Sequence, residues 1–138
     1  IFATEEVTLN QRQTAQQILA SLGKTRWLEV EEELDIVTAL SGSGPAYFFL
    51  LMEQMIEAGI AEGLSPEIAR ELVVETALGS AKMASMSIDN PKILRENVTS
   101  PGGTTEAALD IFYGRGFVKT VAEAIKSAQL RSKEISED

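Results

Sequence analysis

Apolar residues along this chain recur at helical spacings far more often than in alternation. Leu9, Ala15, Ile18, Leu19 and Leu22 keep the helical period, and Gly23 is placed to close the run as a C′ glycine. Lys24 to Val30, which carries the single Trp27, is the one stretch that reads as a strand. The acidic cluster Glu29, Glu31, Glu32, Glu33 and Asp35 reads as a solvated helix start, where carboxylates meet the positive end of the dipole. The spaced pattern of a calcium loop is missing from it. Ser41-Gly42-Ser43-Gly44-Pro45 opens the next helix, with Pro45 suited to its first turn. From Ala46 to Ala61 the residues Tyr47, Phe48, Phe49, Leu50, Leu51, Met52, Met55, Ile56 and Ile60 leave little polar circumference. Such a helix needs cover on nearly all sides, from its own chain or from a second subunit.

Ser65-Pro66-Glu67 supplies a capping hydroxyl, a proline at the first helical position and an acid in the first turn. Ile68, Leu72 and Val73 then give way to Ala77, Gly79, Ser80, Ala81, Ala84 and Ser85, small residues that predict a close helix–helix seam. Met83 and Met86 are expected to fill core gaps beside it. Asn90-Pro91 starts a short helix over Lys92 to Asn97. A turn-rich break at Thr99 to Thr105 precedes a helix from Glu106 to Phe112, which stops at Gly114-Arg115-Gly116. The last helix runs from Phe117 to about Glu134 and shows Val118, Val121, Ala122, Ile125, Ala128 and Leu130 on its apolar face. No repeat or linker interrupts the order. The expectation is one all-α domain over residues 1–138.

Composition narrows what such a domain can do. Twelve basic against 21 acidic residues leave a net charge of −9, which disfavours nucleic acid and anionic membrane surfaces as partners. The 138 residues contain no His and no Cys. That removes imidazole-based nucleophilic catalysis, thiolate and imidazole metal sites and disulfides, so no metal centre is expected. A cysteine-free chain also fits a reducing compartment such as the cytoplasm. By length it should bury roughly 68% of its unfolded surface and form its own core. The longest apolar candidate for a membrane span, Pro45 to Ala61, is interrupted by Glu53, Gln54 and Glu57. The Ile1-Phe2-Ala3-Thr4-Glu5 start has no basic region of a signal peptide and no initiator Met, as expected of a fragment or a processed end.

Candidate chemistry concentrates in Thr99-Ser100-Pro101-Gly102-Gly103-Thr104-Thr105-Glu106. Two glycines let the backbone turn sharply and be approached closely. The next helix exposes unpaired N–H groups at the positive end of its dipole, and three hydroxyls add donors. Together they suit a small anion, a carboxylate better than a polyphosphate, since no Walker A lysine is near. The plainer alternative is a turn succeeded by a Thr N-cap. Ser41 to Pro45 is a weaker candidate, divided between tight packing and ligand contact. Neither stretch completes G-x-G-x-x-G, so most of any dinucleotide site must lie elsewhere.

Both glycine-rich segments, in this order and separation, resemble the pyrroline-5-carboxylate reductase family. The matching stretches are Asp35-Ile36-Val37-Thr38-Ala39-Leu40-Ser41-Gly42-Ser43-Gly44-Pro45-Ala46-Tyr47 and Asn97-Val98-Thr99-Ser100-Pro101-Gly102-Gly103-Thr104-Thr105. Gly59, Gly63-Leu64 and Ala81-Lys82-Met83 add to them. The resemblance covers essentially the whole chain but only the family's C-terminal helical half; the N-terminal Rossmann domain that binds NADPH or NADH is outside it. It implies reduction of 1-pyrroline-5-carboxylate to L-proline, with hydride passing to the imine carbon, and an inactive segment when alone. It implies that Ser100, Gly103 and Thr104, with Gly102 in the same turn, hold the substrate carboxylate. Thr105 would be the catalytic hydroxyl at the ring nitrogen, and Asn97 and Val98 would lie near the nicotinamide. It further implies a homodimer of interleaved helical domains, in some members assembled into decamers. Two positions depart from the pattern. Ile88-Asp89 stands where some relatives place an acid against the substrate amine, and Tyr113 replaces a common acid or amide. A helical dimerisation module without a ligand, or a related imine or 3-hydroxyacid reductase, are the alternative readings.

Overall fold

Side-chain capping sets the starts of three helices in the computed structural model, which describes residues 1–137. Helix α1 (Leu9–Ala20) opens on a capping box: Thr8 Oγ1 accepts the Gln11 N–H at 3.4 Å, and Gln11 Oε1 accepts the Thr8 N–H at 2.9 Å. Short α2 (Glu33–Val37) runs into a π-helical turn at Thr38–Gly42, where the Ser43 N–H reaches Thr38 O at 2.8 Å. Helix α3 (Gly44–Ala61) comes directly after it. It ends in a Schellman motif: Gly63, at φ +105°, donates to Ile60 O, and Leu64 donates to Gly59 O, both at 3.0 Å. Ser65 caps α4 (Pro66–Met86) through the Ile68 N–H at 3.3 Å, and Asn90 caps α5 (Pro91–Asn97) through the Ile93 N–H at 3.1 Å. Both helices carry proline at the first position, where no N–H is needed. Helices α6 (Thr104–Gly114) and α7 (Phe117–Glu137) complete the order.

Among the described residues all the regular structure is helical, as the periodicity predicts, but several details differ. Helix α1 stops at Ala20 with Ser21 as its cap, and Gly23 lies beyond it without the positive φ of a C′ glycine. Lys24 to Val30 is not a strand. Its ladder-like pairing is with the first residue: the Ile1 amine donates to Arg26 O at 2.6 Å, and Ile1 O accepts the Leu28 N–H at 2.8 Å. That is one step of a parallel ladder around Trp27. Helix α6 begins two residues earlier than expected and ends two later.

The chain divides into two compact units, Ile1–Gly44 with the chain from Glu123 onward, and Pro45–Ala122. In the first, α1 clasps Trp27. The Arg12 guanidinium lies 5.5 Å from the indole centroid and donates to Ala3 O and Thr4 O, while Gln16 Oε1 accepts the indole N–H at 2.8 Å. Ser132 Oγ on α7 donates to Asp35 Oδ1 on α2 at 2.7 Å. Another member of the acidic cluster, Glu33, accepts the Glu29 N–H at 3.0 Å. In the second unit, a Cβ on Gly59 would meet Leu64 Cδ1 at 3.5 Å and Ala69 Cβ at 3.6 Å, so the α3–α4 corner closes on a residue without a side chain.

The expected self-contained core is absent. Among the described residues, Ala39 and Ala69 are the only buried apolar side chains. On α3, Phe48 and Phe49 are 65% and 66% exposed, so this chain does not cover that helix. Met83 and Met86, expected to fill core gaps, are also exposed. The physical reason is that the apolar side chains outnumber the partners their own chain brings to them; their cover must come from another molecule. The run Glu33–Ala61, 29 residues of continuous helix, is long and apolar enough to cross a bilayer by length and composition. In the sequence that stretch extends only over Pro45–Ala61, because the π-helical continuation from α2 leaves no mark in the apolar pattern.

Candidate functional site

The break between α5 and α6 is a type II β-turn. Pro101 occupies its second position and Gly102, at φ +70°, its third; the Gly103 N–H closes it onto Ser100 O at 3.0 Å. Proline supplies the first φ without cost, and only glycine enters the left-handed region freely. Gly103 is constrained differently. A Cβ there would stand 3.0 Å from the Ser100 carbonyl oxygen, closer than side chains ordinarily approach backbone. The upstream side is tied down as well. Thr99 Oγ1 donates to Arg95 O at 2.6 Å, and the Thr99 N–H reaches Glu96 O at 3.1 Å.

The start of α6, immediately after the turn, differs from the other capped helix starts. Its N-cap is Gly103, in extended conformation and with no side chain to cap anything, whereas α1, α4 and α5 are capped by Thr8, Ser65 and Asn90. The expected Thr cap is absent because Thr104 is already the first helical residue. The N–H groups of Thr104, Thr105 and Glu106 therefore project from the helix end without an acceptor among the described residues. The Ala107 N–H is the first to be satisfied, by Gly103 O at 3.2 Å. Three open amides and the dipole of an 11-residue helix are chemically able to receive an anion without a cationic side chain.

The structure places the candidate residues on one continuous stretch. Ser100, Gly102 and Thr104 are exposed; Gly103 and Thr105 are half-buried. Asn97, the last residue of α5, and Val98 beside it are exposed next to the turn. Sequence reasoning gave no role to two residues of this region, Glu106 at the end of the candidate stretch and Arg95 before it. Glu106 Oε2 accepts the Gly102 N–H at 2.6 Å, and an acid four residues after a turn glycine, in the first turn of a helix, was the available signal. Arg95 stacks its guanidinium 5.7 Å from the Tyr113 ring centroid and so braces α5 against α6 on either side of the turn. No comparable signal marked that pair. Tyr113 therefore has an occupation of its own at the position that departs from the family pattern. Ile88 is fully exposed, and Asp89 takes a local turn bond from its N–H to Ser87 Oγ at 3.0 Å.

The other glycine-rich stretch is less demanding. A Cβ at Gly44 would meet nothing within 4 Å, and one at Gly42 only Thr38 Cγ2 at 3.6 Å. The first unit has an open concavity of about 410 Å³ between Leu19, Leu22, Lys24, Arg26, Leu28 and Val37, with a mostly apolar lining. No described part of the chain forms the strand–glycine-loop–helix unit that holds a dinucleotide.

Residues 31–135 match the family model for pyrroline-5-carboxylate reductase dimerisation. The pyrroline-5-carboxylate reductase of Pseudomonas aeruginosa is 48% identical over 99% of this chain and 50% of its own length. The enzyme of that name from Bacillus subtilis is 42% identical over 92% of the chain and 42% of its own. Among solved structures, a pyrroline-5-carboxylate reductase from Coxiella burnetii superposes with a TM-score of 0.90 at 40% identity, covering 96% of this chain and 49% of that one. A pyrroline carboxylate reductase from Plasmodium falciparum, solved with NADP bound, gives 0.86 at 35% identity over 95% and 50%. The chain thus spans about half the length of the relatives it matches.

Proposed function

Because the chain belongs to the pyrroline-5-carboxylate reductase dimerisation family, we propose that residues 1–138 are the substrate-binding and dimerising half of a cytoplasmic, NAD(P)H-dependent reductase. That enzyme converts 1-pyrroline-5-carboxylate to L-proline. The observation that carries the reading is the uncapped start of α6, where the Thr104, Thr105 and Glu106 amides stand open behind a fixed turn. A single carboxylate matches this donor set in charge and size. Ser100, Gly102, Gly103 and Thr104 form the rim that receives it. Held by its carboxylate, the ring presents its imine nitrogen to the half-buried Thr105 hydroxyl.

Reduction adds hydride to the imine carbon and a proton to the nitrogen, leaving a secondary amine. The nicotinamide supplies the hydride when it is bound. Thr105 orients the nitrogen and relays a proton from solvent, since a threonine hydroxyl is too weak an acid to give one up near neutral pH. The exposed amide of Asn97 and the exposed apolar face of Val98 are the groups of this chain suited to meet a nicotinamide. Rigid placement of the imine is the larger contribution, because it removes the orientational part of the barrier.

The second half of the proposal is a homodimer, with a decamer as its further assembly. The bare aromatic face of α3, with Phe48 and Phe49 exposed, is a surface of the kind that an obligate interface covers. Acids at Glu53 and Glu57 within α3 favour protein over lipid as the cover.

The decisive experiment substitutes Thr105→Val in the full-length protein. Turnover of the imine acid is expected to fall about tenfold or more with the fold intact. Calorimetry should show a proline analogue binding the wild type. Unchanged turnover together with no analogue binding would favour a helical module without a ligand; turnover of a different imine or of a 3-hydroxyacid instead would point to a related reductase.

A further inference from the structure

The type II turn leaves one amide pointing outward that the helix end does not use, the N–H of Gly102, and it is taken by the Glu106 carboxylate at 2.6 Å. A charge-assisted bond of this length is among the stronger ones available to a neutral donor. It spans the turn from outside: Glu106 sits in the first turn of α6, and Gly102 is the left-handed residue on which the reversal depends. Ser100 O holds the turn from inside through the Gly103 N–H. The two bonds together fix the Pro101–Gly102 and Gly102–Gly103 peptides relative to the helix end, and they leave the Thr104, Thr105 and Glu106 amides free.

We propose that Glu106 is a positioning residue for substrate binding, a latch that holds the Ser100–Gly103 turn in its receptive geometry by accepting the Gly102 amide. The inference rests on the substrate reading given above. The Glu106 side chain does not touch the substrate, although its backbone amide belongs to the donor set; the carboxylate determines whether the rim meets the incoming substrate already formed. Glycine at two consecutive positions makes this necessary, since the same freedom that allows the turn also allows many others. A carboxylate beside an anion site would ordinarily repel the ligand. Its engagement with Gly102 directs that charge onto the backbone. The substrate carboxylate is remote from the reacting carbon and is held alike before and during hydride transfer, so loss of the latch acts on KM rather than on kcat.

The test compares Glu106→Ala with Glu106→Gln in the full-length protein. Glu106→Ala is expected to raise KM for the imine acid about fivefold while kcat stays within about twofold. Glu106→Gln keeps an acceptor oxygen at the same reach and is expected to restore KM to within about twofold of the wild type. Amide exchange provides an independent readout: the Gly102 N–H should exchange faster in Glu106→Ala and not in Glu106→Gln. Unchanged KM in Glu106→Ala, or equal loss in both variants, overturns the latch. If Thr105→Val leaves turnover intact while Gly102 exchange responds as stated, the substrate reading has failed and the latch stands as a backbone device. If Thr105→Val abolishes turnover while Gly102 exchange is indifferent to Glu106, the latch alone has failed.

Discussion

Gly102 and Gly103 are adjacent and chemically identical, yet the fold needs them for different reasons. Gly102 holds a positive φ, and Gly103 makes room for the Ser100 carbonyl. Gly102→Ala should therefore destabilise the turn by about 1–2 kcal/mol, read as a lower Tm. Gly103→Ala should displace the turn by a few tenths of an ångström, read as weaker calorimetric binding of a proline analogue with Tm nearly unchanged. Much of this is legible in the sequence, because proline before glycine announces a type II turn and a helical period comes next. The Gly103 cap and the Glu106 bond are not, since both depend on where α6 begins, and two residues of boundary decide whether a threonine caps the helix or starts it. Arg95 over Tyr113 is invisible for another reason: it joins two helices across a break, and no spacing rule links residues on separate elements.

At the scale of elements, the polar signals were the reliable ones. Ser65-Pro66 and Asn90-Pro91 each place a capping oxygen and a proline where the helix start needs them, and both helices begin there. Ser65→Ala should cost about 1 kcal/mol of stability, measured by denaturant unfolding at fixed protein concentration. Gly63→Ala, in the left-handed residue that turns α3 into α4, should cost a similar ~1–2 kcal/mol. Apolar signals were less reliable. Lys24 to Val30 has strand-like residues, but a strand exists only when something pairs with it, and here its ladder-like pairing is with one residue, Ile1. Met83, Met86 and the α3 aromatics have the composition of a core, and composition carries no statement of which molecule supplies the other half.

For the whole molecule, that missing half governs stability. With Ala39 and Ala69 as the buried apolar side chains among the described residues, the chain has little to hold it in isolation. Its Tm should rise with protein concentration, as it does when folding and association are linked. Phe48→Glu on α3 should shift sedimentation toward the monomer and lower Tm together, whereas a change on an exposed polar face such as Glu57→Gln should do neither. At the open start of α6, a helix whose first amides lack acceptors is an unfinished piece of secondary structure, and the acid that enters supplies its missing terminal acceptor. Ligand entry and completion of α6 are then a single event, so slowed hydrogen exchange at Thr104 to Glu106 should report occupancy even where no reaction occurs, and release of product leaves those three amides open again.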